Sequence, residues 1–115
     1  MAKDAVEAAP NVYTVLFENE RVRLLEGRVR PGESSTMHTH PAGLTYILQG
    51  GKAAIDTSTG DHIEVELSPG RVNWKDAEEH SGTNLGDADI VVLFFEPKSF
   101  QPDTTNPTML LHRTP

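Results

Sequence analysis

Apolar residues along this chain fall at every second position or in short runs, and nowhere at the three-and-four spacing of a long helix. Val12 to Glu18 is rich in β-branched and aromatic residues and predicts a strand, closed by a turn at Asn19-Glu20. Arg21 to Arg30 alternates next, with Val22 and Leu24 on one face and Leu25 and Val29 on the other, until Pro31-Gly32 breaks it. An extended segment from Ser34 to His40 stops at Pro41. Residues 44–49 make a further strand ended by Gly50-Gly51, and Lys52 to Asp56 pairs back on it. After a polar turn at 57–61, His62 to Leu67 places Ile63, Val65 and Leu67 on one face and His62, Glu64 and Glu66 on the other. Pro69-Gly70 is a turn, and Arg71 to Trp74 and His80 to Asn84 are short strands. Ile90 to Glu96 is an almost unbroken apolar run, the pattern of a strand covered on both sides.

About eight or more short strands with Gly/Pro turns between them predict an all-β sandwich or barrel. With 115 residues, no short repeat and no dividing linker, the chain reads as one domain. Residues 12–96 form the barrel. Residues 1–11, Ala- and Glu-rich and closing at Pro10, read as a frayed turn or an arm reaching a partner subunit. Residues 97–115 form a tail whose Met109-Leu110-Leu111-His112 is too apolar to stay free and is expected to pack on the barrel or on a partner. Cover for that piece and for open edge strands argues for a homodimer.

Composition narrows the partners. A net charge of −7 opposes binding to nucleic acid or to an anionic membrane surface. No apolar run is long enough for a spanning helix, and the acidic, apolar-poor start is not a secretory signal, so a cytoplasmic location is expected. The absence of cysteine excludes disulfides and thiolate ligands, which leaves histidine and carboxylate for any transition metal.

That places weight on His38-Thr39-His40 and on His80, forty residues further along. Two histidines one residue apart on a strand share a face, and a third from a distant strand completes one side of a coordination sphere. Glu78 points the same way as His80 if the chain there is extended, and is a candidate fourth ligand or general base. Thr45, Trp74 and Phe94 are candidate substrate-binding residues, with Val72 and Val92 beside them in the wall. Phe95 and Tyr46 are alternatives for the wall and otherwise core. His62 reads as a surface residue, His112 as structural or exposed, and Asn84 as a brace for a turn. Arg23, Arg28 and Arg30 read as surface charge or edge protection, or as a carboxylate clamp if one faces inward.

Gly32, then five residues, then His38-Thr39-His40, then Tyr46-Ile47-Leu48-Gln49-Gly50, resembles the first signature of the cupins; His80 and Asn84 stand at the spacing of the second, with Lys75 and Ala77 replacing its proline and glycine. The resemblance covers about residues 12–96 and implies a single-domain jelly-roll barrel with one divalent metal held by His38, His40 and His80. The family's glutamate ligand falls at Gly43 or Leu44, neither of which binds metal. The pattern is therefore similar to the three-histidine cupins, which include β-diketone-cleaving and thiol dioxygenases. Three neutral donors leave the ion its full charge, and its open positions favour an anionic or enolisable small molecule. Fe2+ implies oxygen chemistry and Zn2+ hydrolysis, with Ni2+, Mn2+ or Cu2+ also compatible with imidazole. Two other classes remain open: a non-catalytic metabolite-binding module, and a metal-independent sugar isomerase using Lys75 and Tyr46.

Overall fold

The computed structural model describes residues 2–99. The described chain runs α1 (Ala5–Ala8), β1 (Tyr13–Glu18), β2 (Val22–Val29), β3 (His38–His40), β4 (Gly43–Gln49), β5 (Gly51–Thr57), β6 (His62–Leu67), β7 (Val72–Lys75), β8 (Glu78–Asn84) and β9 (Ile90–Pro97). The strands form two sheets, a five-stranded one ordered β1-β2-β9-β4-β7 and a four-stranded one ordered β3-β8-β5-β6. Every pairing between named strands is antiparallel, which makes a jelly-roll sandwich closed around one interior. The Pro31-Gly32 and Pro69-Gly70 breaks are turns with glycine at φ 77° and 84°, the left-handed position a type II turn requires after proline.

Alternation sets what faces inward. Leu25, Phe94, Thr45 and Asn73 lie in one register row across β2, β9, β4 and β7, and Gly27, Val92 and Ile47 lie in the next. The buried core gathers Ala5, Ala9, Val12, Tyr13 and Leu25, with Val6, Val29 and Phe94 packed against it. On the other side of the same sheet, Phe17, Leu24, Phe95, Leu44 and Trp74 pair in register across all five strands. Phe17, Phe95, Leu44 and Trp74 are 40–58% exposed, with Tyr46 and Val72 similarly exposed beside them. The run from Ile90 to Glu96, expected to be covered on both sides, is buried at Ile90, Val91 and Glu96 and half-buried from Val92 to Phe94, while Phe95 stands 43% exposed on the outer face.

The segment before β1 belongs to the barrel. Asp4 caps α1, its Oδ2 accepting from Val6 N–H at 3.1 Å. Ala5 and Ala9 are fully buried, small enough for the turn to lie close on the sheets. Thr39 N–H donates to Lys3 O at 2.9 Å, so this segment also covers the free edge of β3. The expected frayed turn or partner-reaching arm is instead a capped turn packed on its own chain. Met109–Leu111 and His112 lie outside the described residues.

Candidate metal centre

The site is built on the β3–β8 ladder, where His38 stands opposite His80 and His40 opposite Glu78. Residues two apart share a face, so the three imidazoles and the Glu78 carboxylate form a square on the inner side. His38, His40 and His80 are 0%, 6% and 8% exposed. One nitrogen from each lies within 4.8 Å of the others, the only such histidine, cysteine or carboxylate cluster given by the described residues.

Two rings are locked. His38 Nδ1 donates to Thr36 O at 2.6 Å, and His40 Nδ1 donates to Glu96 Oε2 at 3.2 Å. Each then carries its proton on Nδ1 and presents a bare Nε2 lone pair, the tautomer a metal needs. Phe94 stacks flat on His40, ring centroids 4.7 Å apart. Glu96 is held from behind by Arg23, whose Nε donates to Oε1 at 2.8 Å, and Arg23 also donates twice to Asp4 at 2.7 and 3.0 Å. Burial opposes ionisation of Asp4, but the Arg23 guanidinium and the Val6 N–H outweigh it and hold its carboxyl below the usual range.

The two bare nitrogens, His38 Nε2 and His40 Nε2, stand 3.0 Å apart. Donors about 2.1 Å from a shared ion and at right angles to one another stand about 3.0 Å apart, so the separation fits a bound cation. His80 Nδ1 is buried and lies 3.1 Å from Glu78 Oε1, an ion-pair contact without an aligned hydrogen bond. The donor set suits a divalent transition metal. Beside it stands an atom that the sequence did not flag: Tyr13 Oη lies 2.9 Å from His38 Nε2 and 3.3 Å from His40 Nε2. Burial, with the Glu78 and Glu96 carboxylates nearby, pushes that phenol well up.

Burial pushes His38 down from the ordinary 6.5 to about 4, with the charges of His40 and His80 adding to the shift against the Thr36 carbonyl. Between those values the unfolded chain binds this proton and the folded one does not. Metal-free protein is therefore expected to keep the full contribution of this group above its ordinary value. It loses that contribution as the pH falls toward the folded value, by up to about 3 kcal/mol. Asp4 and Glu78, whose carboxyls are held low, add their own loss toward the bottom of that interval and below. Denaturant titrations of chelator-treated protein across the interval measure this; a flat profile contradicts it.

Beside the centre lies a cavity of about 150 Å³, walled by Val29, Ile47, Ile55, Val92 and Phe94 and reached by Thr45, Asn73, Lys75, Glu78 and His80. Thr45 and Phe94 thus face the interior. Trp74 does not: it is 58% exposed on the outer face, its indole N–H on Asp76 at 3.2 Å. Val72, Phe95 and Tyr46 also point outward, which takes Tyr46 away from any isomerase role. Glu78 is half-buried, not a freely solvated loop residue. The His80 imidazole, then Lys75 and His40, hold its carboxyl below the usual range despite partial burial. His62 is exposed and pairs with Asp56. Asn84 is buried and braces its loop, donating to Val29 O and Ala88 O. Arg28 and Arg30 make surface pairs, whereas Arg23 is an internal member of the Asp4–Glu96 network.

At Gly43, the first of the two positions where the resemblance places a glutamate, β4 has no room for a side chain. A Cβ on Gly43 would collide with the Phe95 carbonyl oxygen, and Leu44 turns 40% exposed to the outer face.

No family model matches the chain, and no curated protein matches it. Among solved structures it is similar to a cupin domain from Bordetella pertussis Tohama I, 26% identical over 86% of this chain and 99% of that one, with a TM-score of 0.71. A double-stranded β-helix protein from Klebsiella pneumoniae is 16% identical over 77% of this chain and 84% of its own, TM-score 0.58. A cupin superfamily protein from Desulfitobacterium hafniense DCB-2 is 23% identical over 74% and 76%, TM-score 0.53. The fold is that of a small cupin. Its interior carries a three-histidine cluster able to hold a metal ion. No described helix is long and apolar enough to cross a membrane.

Proposed function

We propose that this cupin is a mononuclear metal-dependent oxidoreductase of the dioxygenase type, acting on a small enolisable or anionic molecule with an apolar body. The observation that supports it is the meeting of an apolar-walled cavity with His80, Glu78 and Lys75 at one place. Such walls accommodate dioxygen and an apolar substrate body while limiting water, which disfavours hydrolysis. A bound Fe2+, held by His38, His40 and His80, would supply the redox and Lewis-acid chemistry.

The remaining work falls to side chains. Lys75 attracts the anionic oxygen of the substrate toward the cavity. Glu78 Oε1, ionised near neutral pH and 3.9 Å from Lys75 Nζ, accepts the acidic proton as the enolate forms. Phe94 and Val92 hold the apolar body.

Oxygen uptake by ferrous-loaded protein with a panel of β-diketones and thiols tests the assignment. Substrate-dependent uptake is expected, and Glu78→Gln should slow it by about a hundredfold or more with metal content unchanged. Tight binding of panel members without uptake would instead make the chain a binding module.

A further inference from the structure

We propose that Tyr13 Oη is a fourth protein ligand of the metal centre, so that β1 supplies the anionic donor that β4 lacks. The inference rests on the metal-centre reading above.

Three donor atoms form a tight triangle: Tyr13 Oη to His38 Nε2 is 2.9 Å, His38 Nε2 to His40 Nε2 is 3.0 Å, and His40 Nε2 to Tyr13 Oη is 3.3 Å. Ligands about 2.0–2.1 Å from one ion stand about 3.0 Å apart at right angles and about 3.4 Å apart at tetrahedral angles. The triangle has the dimensions of one face of a coordination polyhedron.

Proton accounting points the same way. The Nδ1 protons of His38 and His40 are committed to Thr36 O and Glu96, so both Nε2 atoms are bare. The single phenol proton bridges one edge, to His38. The two nitrogens stand 3.0 Å apart along the remaining edge. A cation set against all three atoms would engage the lone pairs of both nitrogens and of the oxygen together. On binding, the Tyr13 O–H bond breaks, the Oη–metal bond forms, and the proton passes to solvent.

The ring is also placed for this. Tyr13 stands opposite Gly27 in the β1–β2 ladder. A Cβ on Gly27 would press on both the Tyr13 and Phe94 rings at 3.0 Å, so only glycine leaves them undisturbed room. The Tyr13 ring meets His38, His40 and Phe94 edge-on, at centroid distances of 4.8, 5.2 and 5.5 Å. Its oxygen is delivered by packing, without rotamer freedom to lose. Glu78, the other candidate, falls outside the cluster within 4.8 Å and is engaged by His80 and Lys75.

The test titrates Cu2+ into chelator-stripped wild type and Tyr13→Phe, reading stoichiometry by calorimetry and coordination by visible absorption and resonance Raman. Expected is one-to-one binding in both proteins. A tyrosinate-to-copper charge-transfer band and tyrosinate Raman modes should appear in wild type and be lost from Tyr13→Phe, which should bind at least tenfold more weakly. The Raman modes need only wild type, so the test stands even if the variant folds poorly. Stoichiometric binding by wild type without tyrosinate features overturns the Tyr13 assignment and leaves the three-histidine centre intact. No binding by wild type overturns the centre itself, and Tyr13 with it.

Discussion

His38→Ala is expected to reduce metal content from about one equivalent to the level of a chelator-treated control. His38 is the fully buried corner of the cluster, fixed by Thr36 O on one nitrogen and facing His40 and Tyr13 with the other. Alanine removes that donor and leaves a void no other imidazole can enter. His62→Ala, at the exposed pair with Asp56, should leave metal content unchanged and serves as the comparison. Elemental analysis of proteins purified without chelator measures both. Equal metal in wild type and His38→Ala would place the ion elsewhere.

Arg23→Met is expected to destabilise the protein by about 3 kcal/mol or more, because it leaves the Asp4 and Glu96 carboxylates without their shared cation. The Glu96 side chain is only 4% exposed, and that of Arg23 15%, so water compensates poorly. A loss of this size lowers Tm by roughly 12 °C or more in a domain of this length. It also frees the carboxylate that orients His40, so metal affinity should fall by about 10–100-fold. Adding Glu96→Gln should restore part of the stability, since it removes the stranded charge. Urea denaturation of metal-free protein separates the structural loss from the metal effect. An unchanged midpoint in Arg23→Met would show the network to be energetically inert.

Much of the strand order was legible because the turns announce themselves through Pro-Gly and Gly-Gly pairs and because alternation is clear in His62–Leu67 and Arg21–Arg30. The histidines were legible from their spacing. Alternation tells which residues travel together but not which face is inside. Val72 and Trp74 share a face, as the sequence says, yet that face is the outer one. Glu96 was within reach, since Val92 and Phe94 were assigned to the wall and the same period of two adds Glu96 to them. Tyr13 was not: its strand is distant in sequence, and nothing local in Val12–Glu18 marks one residue as meeting His38. For Arg23 the sequence leaves surface charge, edge protection and an inward carboxylate clamp open, and local pattern does not choose among them because its partners lie 19 and 73 residues away.

The contact between Gly43 and the Phe95 carbonyl has a bearing on redesign. Position 43 is closed to any larger residue by main chain, which cannot rotate aside as a side chain would. Anyone wishing to reinstall a carboxylate from β4 must therefore start at Thr45, the neighbouring inward position, and accept a longer approach to the histidines. The electrical character of this centre is thus governed by how closely two backbones run, a trait that no exchange at position 43 alone can rewrite.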